Sequence, residues 1–365
     1  MQVRGGSIQL LKRGIIRVVS LMVVCALPWS MPVAAPAEAL AAGLTFGSEK
    51  VLRSCWSEEE LQGKPQDKII IFERELLPLP PRLIAPLGDL SPSKPAPANS
   101  VRHIIPMGNK KVIALTFDLC EQTDEITGYD YEIINYLRAH QIRATFFAGG
   151  KWMQSHPDKA MQLIADPLFE IGNHTWSHAN MRVIGKEEQR QQILLTQAQY
   201  RELRRQLSCW PCARQAGQKE IVKIPAIPLC FRFPYGACNT EGLQLLKRLN
   251  LAAVQWDIVT EDSTKGQTAG RIARIVLKNA QPGSIVICHA NGRGHETAQA
   301  LALFIPELQK RGYDFVTVSE LLTLGPVFAA SACYELTPGD NKRYDQLFGK
   351  GLELPKKQGE AERPQ

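Results

Sequence analysis

Seven short apolar, β-prone runs separated by helix-like stretches occupy the chain from Lys111 onward. The runs span residues 112–117, 144–148, 169–172, 230–233, 252–258, 285–288 and 315–318, and the helical candidates span 131–140, 186–207, 241–249, 269–279 and 296–311. Strands that alternate with helices bury both faces only when they lie parallel with helices packed outside them. The expected fold class is therefore α/β, with parallel β/α units wound as an open sheet or closed as a barrel. In both architectures functional side chains gather at the C-terminal ends of strands. Asp118, His174, Arg232, Asp257 and His289 all fall at or just after such ends.

His174-Thr175-Trp176-Ser177-His178 follows the run that ends at Gly172. Two imidazoles four positions apart share one face of a helical turn and lie close enough to hold a divalent ion. Asp118 closes another run, and two histidines with a carboxylate compose an open metal site that leaves a position for water. The structural alternatives are two core histidines satisfied by backbone and an aspartate serving as a helix N-cap.

Ahead of this region the chain changes character. Arg4, Lys12, Arg13 and Arg17 precede the apolar run 18–27, and Ala39-Leu40-Ala41 follows. That is the pattern of a secretory signal over residues 1–41, too short in its apolar part to span a bilayer comfortably, with an uncleaved anchor as the alternative. Export to the periplasm or medium is expected, with no stable membrane span after cleavage. Residues 42–108 read as an N-terminal extension that includes a Pro-rich linker at 77–99, and residues 109–325 as the catalytic domain. Residues 326–365 read as a C-terminal extension whose polar end is disordered.

Loss of residues 1–41 leaves 39 Lys and Arg against 35 Asp and Glu, so the formal charge falls from +7 to +4. No basic stripe interleaved with aromatics accompanies that mild excess, which argues against nucleic acid. Of the nine cysteines, Cys25 lies in the signal, leaving eight. An even count in an oxidising compartment points to disulfides. Cys209, Cys212, Cys230 and Cys238 cluster near an apparent surface excursion at 208–229, where Cys209-x-x-Cys212 also has zinc-binding spacing. Cys120 and Cys288 each adjoin a candidate site residue and also suit buried apolar positions.

Taken in order, Thr116-Phe117-Asp118, His174-x-x-x-His178, Arg232-Phe233-Pro234-Tyr235, Trp256 with Asp262, and Ile287-Cys288-His289 resemble the polysaccharide deacetylases of carbohydrate esterase family four, the nodulation-deacetylase type. The resemblance runs from about Lys111 to Leu322. It implies a distorted (β/α)7 barrel and metal-dependent removal of N-acetyl, sometimes O-acetyl, groups from a glycan. It implies Asp118 as general base, Arg232 as its tuning partner, the Tyr235 backbone N–H as oxyanion donor, His289 as general acid and Asp262 as its orienting carboxylate. His174 and His178 would hold the metal, with zinc favoured by imidazole donors and cobalt or nickel also suited to them. The acetylated glycan would be the partner.

Two positions depart from that pattern. The metal-ligating aspartate that the family carries after the first is Leu119 here, and the tryptophan after the fourth-motif aspartate is Ser263. Three readings fit Leu119: water completes the shell, Asp118 itself ligates, or Glu121 or Asp124 reaches in from the next loop. The departures leave a degenerate glycan-binding member and an amidase on a small non-sugar substrate as alternatives.

Overall fold

The computed structural model describes residues 44–72 and 96–348. The signal-like segment, most of the Pro-rich linker and the polar C-terminal end lie outside the described residues.

Among the described residues ten strands occur in chain order: β1 Ser100–Ile104, β2 Val112–Leu119, β3 Ala144–Ala148, β4 Phe169–Asn173, β5 Cys230–Phe231, β6 Ala252–Ala253, β7 Ile258–Val259, β8 Ile285–His289, β9 Asp314–Phe315 and β10 Val327–Ala330. The main sheet runs β6-β5-β4-β3-β2-β8-β7, with β9 beside the start of β2. Every pairing in it is parallel. The (β/α)7 expectation holds, and the distortion has a visible origin. The run expected as one strand over 252–258 is split. Its first half pairs with β5 and its second half with β8, so one stretch of chain links the two edges of the curled sheet.

β1 sits across that seam. Val101 O accepts from the Gln255 N–H at 2.8 Å, and the Ile104 N–H donates to Gly283 O at 3.0 Å. β1 also pairs antiparallel with β10, so segments from both sides of the barrel form one ribbon.

Strand alternation divides the core in two. Ile113, Leu115, Phe117 and Leu119 of β2 face outward into the cluster that includes Ile133, Leu137, Phe304 and Leu308 of the surrounding helices. Val112 and Ala114 face inward with Phe147, Trp256, Ile285 and Ile287. Continuing the inward row by two residues reaches Thr116 and then Asp118, which places the carboxylate at the C-terminal mouth of the barrel.

The helices start where the sequence supplies side-chain acceptors for their first N–H groups. Asn239 caps Thr240–Arg248, Thr268 caps Ala269–Asn279, and Thr317 with Glu320 forms a capping box on Val318–Leu321. That last cap shortens the expected strand at 315–318 to β9, because Val318 already turns into helix.

Other expectations are corrected by packing. The region around residue 50, aperiodic in sequence, forms helices Glu49–Cys55 and Glu58–Gln62, and Val51, Leu52, Trp56 and Leu61 join the outer core. Residues 68–72, β-prone by their Ile-Ile-Ile-Phe content, make only an isolated bridge, Ile71 with Ile126. The excursion at 208–229 contains short helices Pro211–Ala216 and Gln218–Ile221.

The disulfides are Cys55–Cys212 and Cys238–Cys333. Each joins one cysteine of the sequence cluster to one outside it, and the bridge on Cys212 removes the C-x-x-C zinc reading. Cys120, Cys230 and Cys288 are buried thiols.

Candidate active site

The histidine pair lies on a loop after β4 rather than on a helical turn. Thr175 and His178 both adopt left-handed backbone, with φ of 66° and 55°, which folds five residues tightly enough to bring the two rings within 5.0 Å of each other. Such conformations are costly for non-glycine residues and persist where surroundings enforce them. Here the 24-residue helix Lys186–Cys209 supplies the restraint. Gln192 Oε1 accepts from the N–H groups of Trp176 and Ser177 at 2.8 and 3.0 Å, while Asn173 Oδ1 accepts from the Thr175 N–H at 3.0 Å.

His174 is 1% exposed, and its Nδ1 lies 2.9 Å from Arg232 O. A carbonyl only accepts, so Nδ1 carries the proton and Nε2 presents its lone pair. That Nε2 has no hydrogen-bond partner. It faces Asp118 Oδ2 at 3.4 Å. Two acceptors opposed in a buried site repel unless a cation lies beside them. Burial lowers the His174 pKa despite the attraction of Asp118, and lowers that of His178 well below its ordinary value. Neutral imidazoles are the form that binds metal. The donor set therefore fits a divalent ion.

Arg232 follows β5 and is fully buried. Its Nη1 donates to Asp118 Oδ1 at 2.8 Å and its Nη2 to Gln255 O at 3.1 Å, while the guanidinium lies 4.0 Å from the Phe147 ring centre and 5.3 Å from that of Trp256. Burial would raise the Asp118 pKa, but Arg232, with His174 and His289, outweighs it and holds the carboxyl below its usual range.

On the strand next to β2, in register with Asp118, His289 ends β8. Its Nδ1 lies 2.8 Å from Asp262 Oδ1, and Asp262 Oδ2 accepts from the His289 N–H at 2.7 Å and from Thr297 Oγ1 at 2.8 Å. Burial acts to lower the His289 pKa, yet Asp262 and Asp118 together raise it above the ordinary histidine value. The barrel mouth thus holds an anionic carboxylate and a proton-retaining imidazole side by side on adjacent strands.

Tyr235 occupies the turn Pro234–Gly236 with φ 57°. Its ring packs edge-on against His178 at 4.4 Å and stacks on Phe348 at 4.4 Å. Asn341 Nδ2 donates to Tyr235 O at 3.0 Å and also to Gly236 O. Arg182 Nε reaches both oxygens of Asp345 at 2.9 Å, so this C-terminal segment is tied down by an ion pair as well as by the Cys238–Cys333 bridge.

Two expectations change, and the departure at Ser263 stands. Asp257 is not at the site: it accepts from Ser284 Oγ at 2.8 Å and the Ile285 N–H at 2.7 Å, pinning the start of β8, the end away from His289. Glu121 is committed elsewhere, with Oε1 held by Lys151 at 2.6 Å and Oε2 by the Thr127 N–H at 3.0 Å. Its carboxylate serves an ion pair rather than the histidines. Ser263 is exposed and supplies no apolar wall.

Sequence reading also missed residues. Asn341 and Phe348 lie in no motif, more than a hundred positions from Tyr235. Cys120 Sγ lies with the ligand nitrogens of His174 and His178 in a group whose atoms are all within 4.8 Å of one another. The only signal for it was its adjacency to a strand end.

The sequence profile of the family described as polysaccharide deacetylase matches residues 106–254. A peptidoglycan-N-acetylglucosamine deacetylase of Bacillus cereus is 32% identical over 219 residues, covering 58% of this chain and 69% of the relative. The chain belongs to the polysaccharide deacetylase family. As a member of that family it is a carbon–nitrogen hydrolase. A chitooligosaccharide deacetylase of Azorhizobium caulinodans is 29% identical over 50% of this deacetylase-family chain and 82% of its own length. A solved peptidoglycan N-acetylglucosamine deacetylase shares 31% identity over 60% of this chain and 91% of its own, with a TM-score of 0.49. Among the described residues no helix is long and apolar enough to cross a membrane.

Proposed function

We propose that this enzyme removes N-acetyl groups from a GlcNAc-containing glycan outside the cytoplasm, using a divalent ion, zinc in preference, held by His174 and His178. The observation that carries this reading is the His174 Nε2 lone pair, buried, unpartnered and 3.4 Å from Asp118. The names of the relatives support the substrate class, and the two disulfides support an oxidising compartment reached through a signal at residues 1–41.

An amide is a poor electrophile with a poor leaving group, so its hydrolysis needs an activated water, a charge-stabilised oxygen and a proton for nitrogen. A bound divalent ion supplies Lewis acidity toward the carbonyl and water. Asp118, kept ionised by Arg232, takes the proton of the attacking water. The Tyr235 backbone N–H meets the developing oxyanion. His289, protonated and oriented by Asp262, delivers the proton that lets the amine depart. The Tyr235–Phe348 stack forms an apolar wall beside the metal ligands, where Ser263 offers none.

Acetate release from chitooligosaccharides and peptidoglycan tests this directly. The purified protein carries about one equivalent of divalent metal; a strong chelator removes it and abolishes turnover, and added zinc restores both. Undiminished turnover in metal-free protein would sink the metal assignment. Stoichiometric metal without acetate release from any glycan would favour the degenerate reading that Leu119 raises.

Asp262→Asn provides a separate check on the acid side. Removing the carboxylate leaves burial as the main influence on His289, so its pKa falls. The imidazole then loses its proton at lower pH, and the alkaline limb of the pH–rate profile moves down by at least about one unit, the scale on which a neighbouring charge acts. An unmoved alkaline limb contradicts the role given to His289.

A further inference from the structure

We propose that Cys120 is the third protein ligand of the metal, bound as a thiolate, in a Cys–His–His site completed by water. The inference rests on the metal reading given above and specifies its coordination.

Strand alternation accounts for the placement. Asp118 lies on the inward row of β2, Leu119 turns outward into the helix-facing core, and Cys120 returns to the inward side two residues on. Its sulfur and the ligand nitrogens of His174 and His178 lie within 4.8 Å of one another, a spacing that a single ion with bonds of about 2.0–2.3 Å spans. The second observation is the His174 Nε2 lone pair, 1% exposed at the residue level and without a partner, at the same point.

Among the competing carboxylates Glu121 is committed, while Asp118 keeps Oδ2 free, 3.4 Å from His174 Nε2, for the base role given above. Glu121 is held by Lys151, Ser155 and the Thr127 N–H, and Asp118 Oδ1 by Arg232. Burial and the nearby Asp118 hold the Cys120 thiol protonated in the free protein, so the charge of an arriving metal is what draws off its proton. Asn291 Nδ2 donates to Cys120 Sγ at 3.2 Å and to Cys120 O at 2.8 Å. Asn291 Oδ1 accepts from the Arg293 N–H at 3.3 Å, which fixes which end of the amide faces sulfur. A donor aimed at sulfur stabilises the thiolate, and outer partners of this kind orient metal ligands and tune their basicity.

Metal entry breaks the S–H bond, forms the sulfur–metal bond and releases one proton to solvent. Two neutral imidazoles and one thiolate leave the centre with a single net positive charge, and the soft donor selects zinc or cobalt over magnesium or manganese.

Cobalt(II) titration of the purified, metal-stripped full chain tests the assignment without relying on turnover. The wild type binds one equivalent and develops a near-ultraviolet sulfur-to-cobalt charge-transfer band. Cys120→Ser loses the band and binds cobalt more weakly by at least about 100-fold, the upper end of what loss of an outer partner costs. Cys120→Asp binds cobalt without the band, which shows that its absence does not reflect misfolding. Stoichiometric cobalt without the band in the wild type, or a band that persists in Cys120→Ser, overturns the Cys120 assignment alone. A wild type that binds no metal overturns the metal reading with it.

Discussion

Asp118→Asn lowers acetate release by about 10³-fold or more, within the range that general acid–base catalysis contributes. The amide keeps the shape of the side chain but cannot take a proton from water. The geometry makes this loss specific to chemistry. His174 Nδ1 stays bonded to Arg232 O, and neither His178 nor Cys120 depends on Asp118 for position, so cobalt binding persists while turnover disappears. In the wild type the acid limb of the pH–rate profile reports Asp118. Because Arg232 and the two histidines overcome burial and depress its pKa, activity is retained down into the acid range below the ordinary carboxylate value. Activity within about tenfold of wild type in the asparagine variant would remove Asp118 from the base role.

Arg232→Ala destabilises the fold by about 3–5 kcal/mol, the cost of breaking a buried ion pair by deleting one partner. The side chain is wholly buried between Phe147 and Trp256 and supplies hydrogen bonds to Asp118 Oδ1 and Gln255 O. Its removal leaves a cavity and an uncompensated carboxylate together.

The sign of the pH effect follows. The depressed pKa of Asp118 means that the pair stabilises the fold above the carboxyl's unfolded pKa, and that this contribution fades as pH falls through the folded value. Without the guanidinium, burial loses its main opponent, the Asp118 pKa rises, and the acid limb of any residual activity moves upward. Arg232→Lys restores charge but not the planar fork that reaches both acceptors, so it recovers only part of the stability. Urea unfolding at neutral pH measures the loss; a change below about 1 kcal/mol would place Arg232 among ordinary surface ion pairs.

The residues read correctly from sequence as lying together were those for which a local rule carried long-range meaning. Parallel strands in one sheet end on the same side, so Asp118 near the end of β2, His174 after β4, Arg232 after β5 and His289 at the end of β8 had to converge whatever the details of packing. Asp257 broke the same rule for a physical reason. It was placed at the end of one strand over 252–258, but that stretch changes partners midway, and Asp257 meets the beginning of β8 instead. The histidine spacing likewise suggested a helical turn because four residues is a helical repeat, whereas two left-handed residues held by Gln192 produce the same proximity without a helix.

Sequence alone determined the parallel β/α class, the strand-end address of the main site residues and the absence of a carboxylate at Leu119, because periodicity and residue identity are local properties of the chain. Tertiary structure alone decided what stands in that gap and what covers the mouth. Cys120 acquires its place only when β2 and β4 flank β3 in one sheet, and its hydrogen-bonded Asn291 arrives from 171 positions away. Asn341 and Phe348 reach Tyr235 on a segment tied down by long-range contacts, the Cys238–Cys333 bridge and the Arg182–Asp345 pair among them. Such contacts depend on distances between remote segments, and those are set by the packing of the whole barrel rather than by any pattern along the chain.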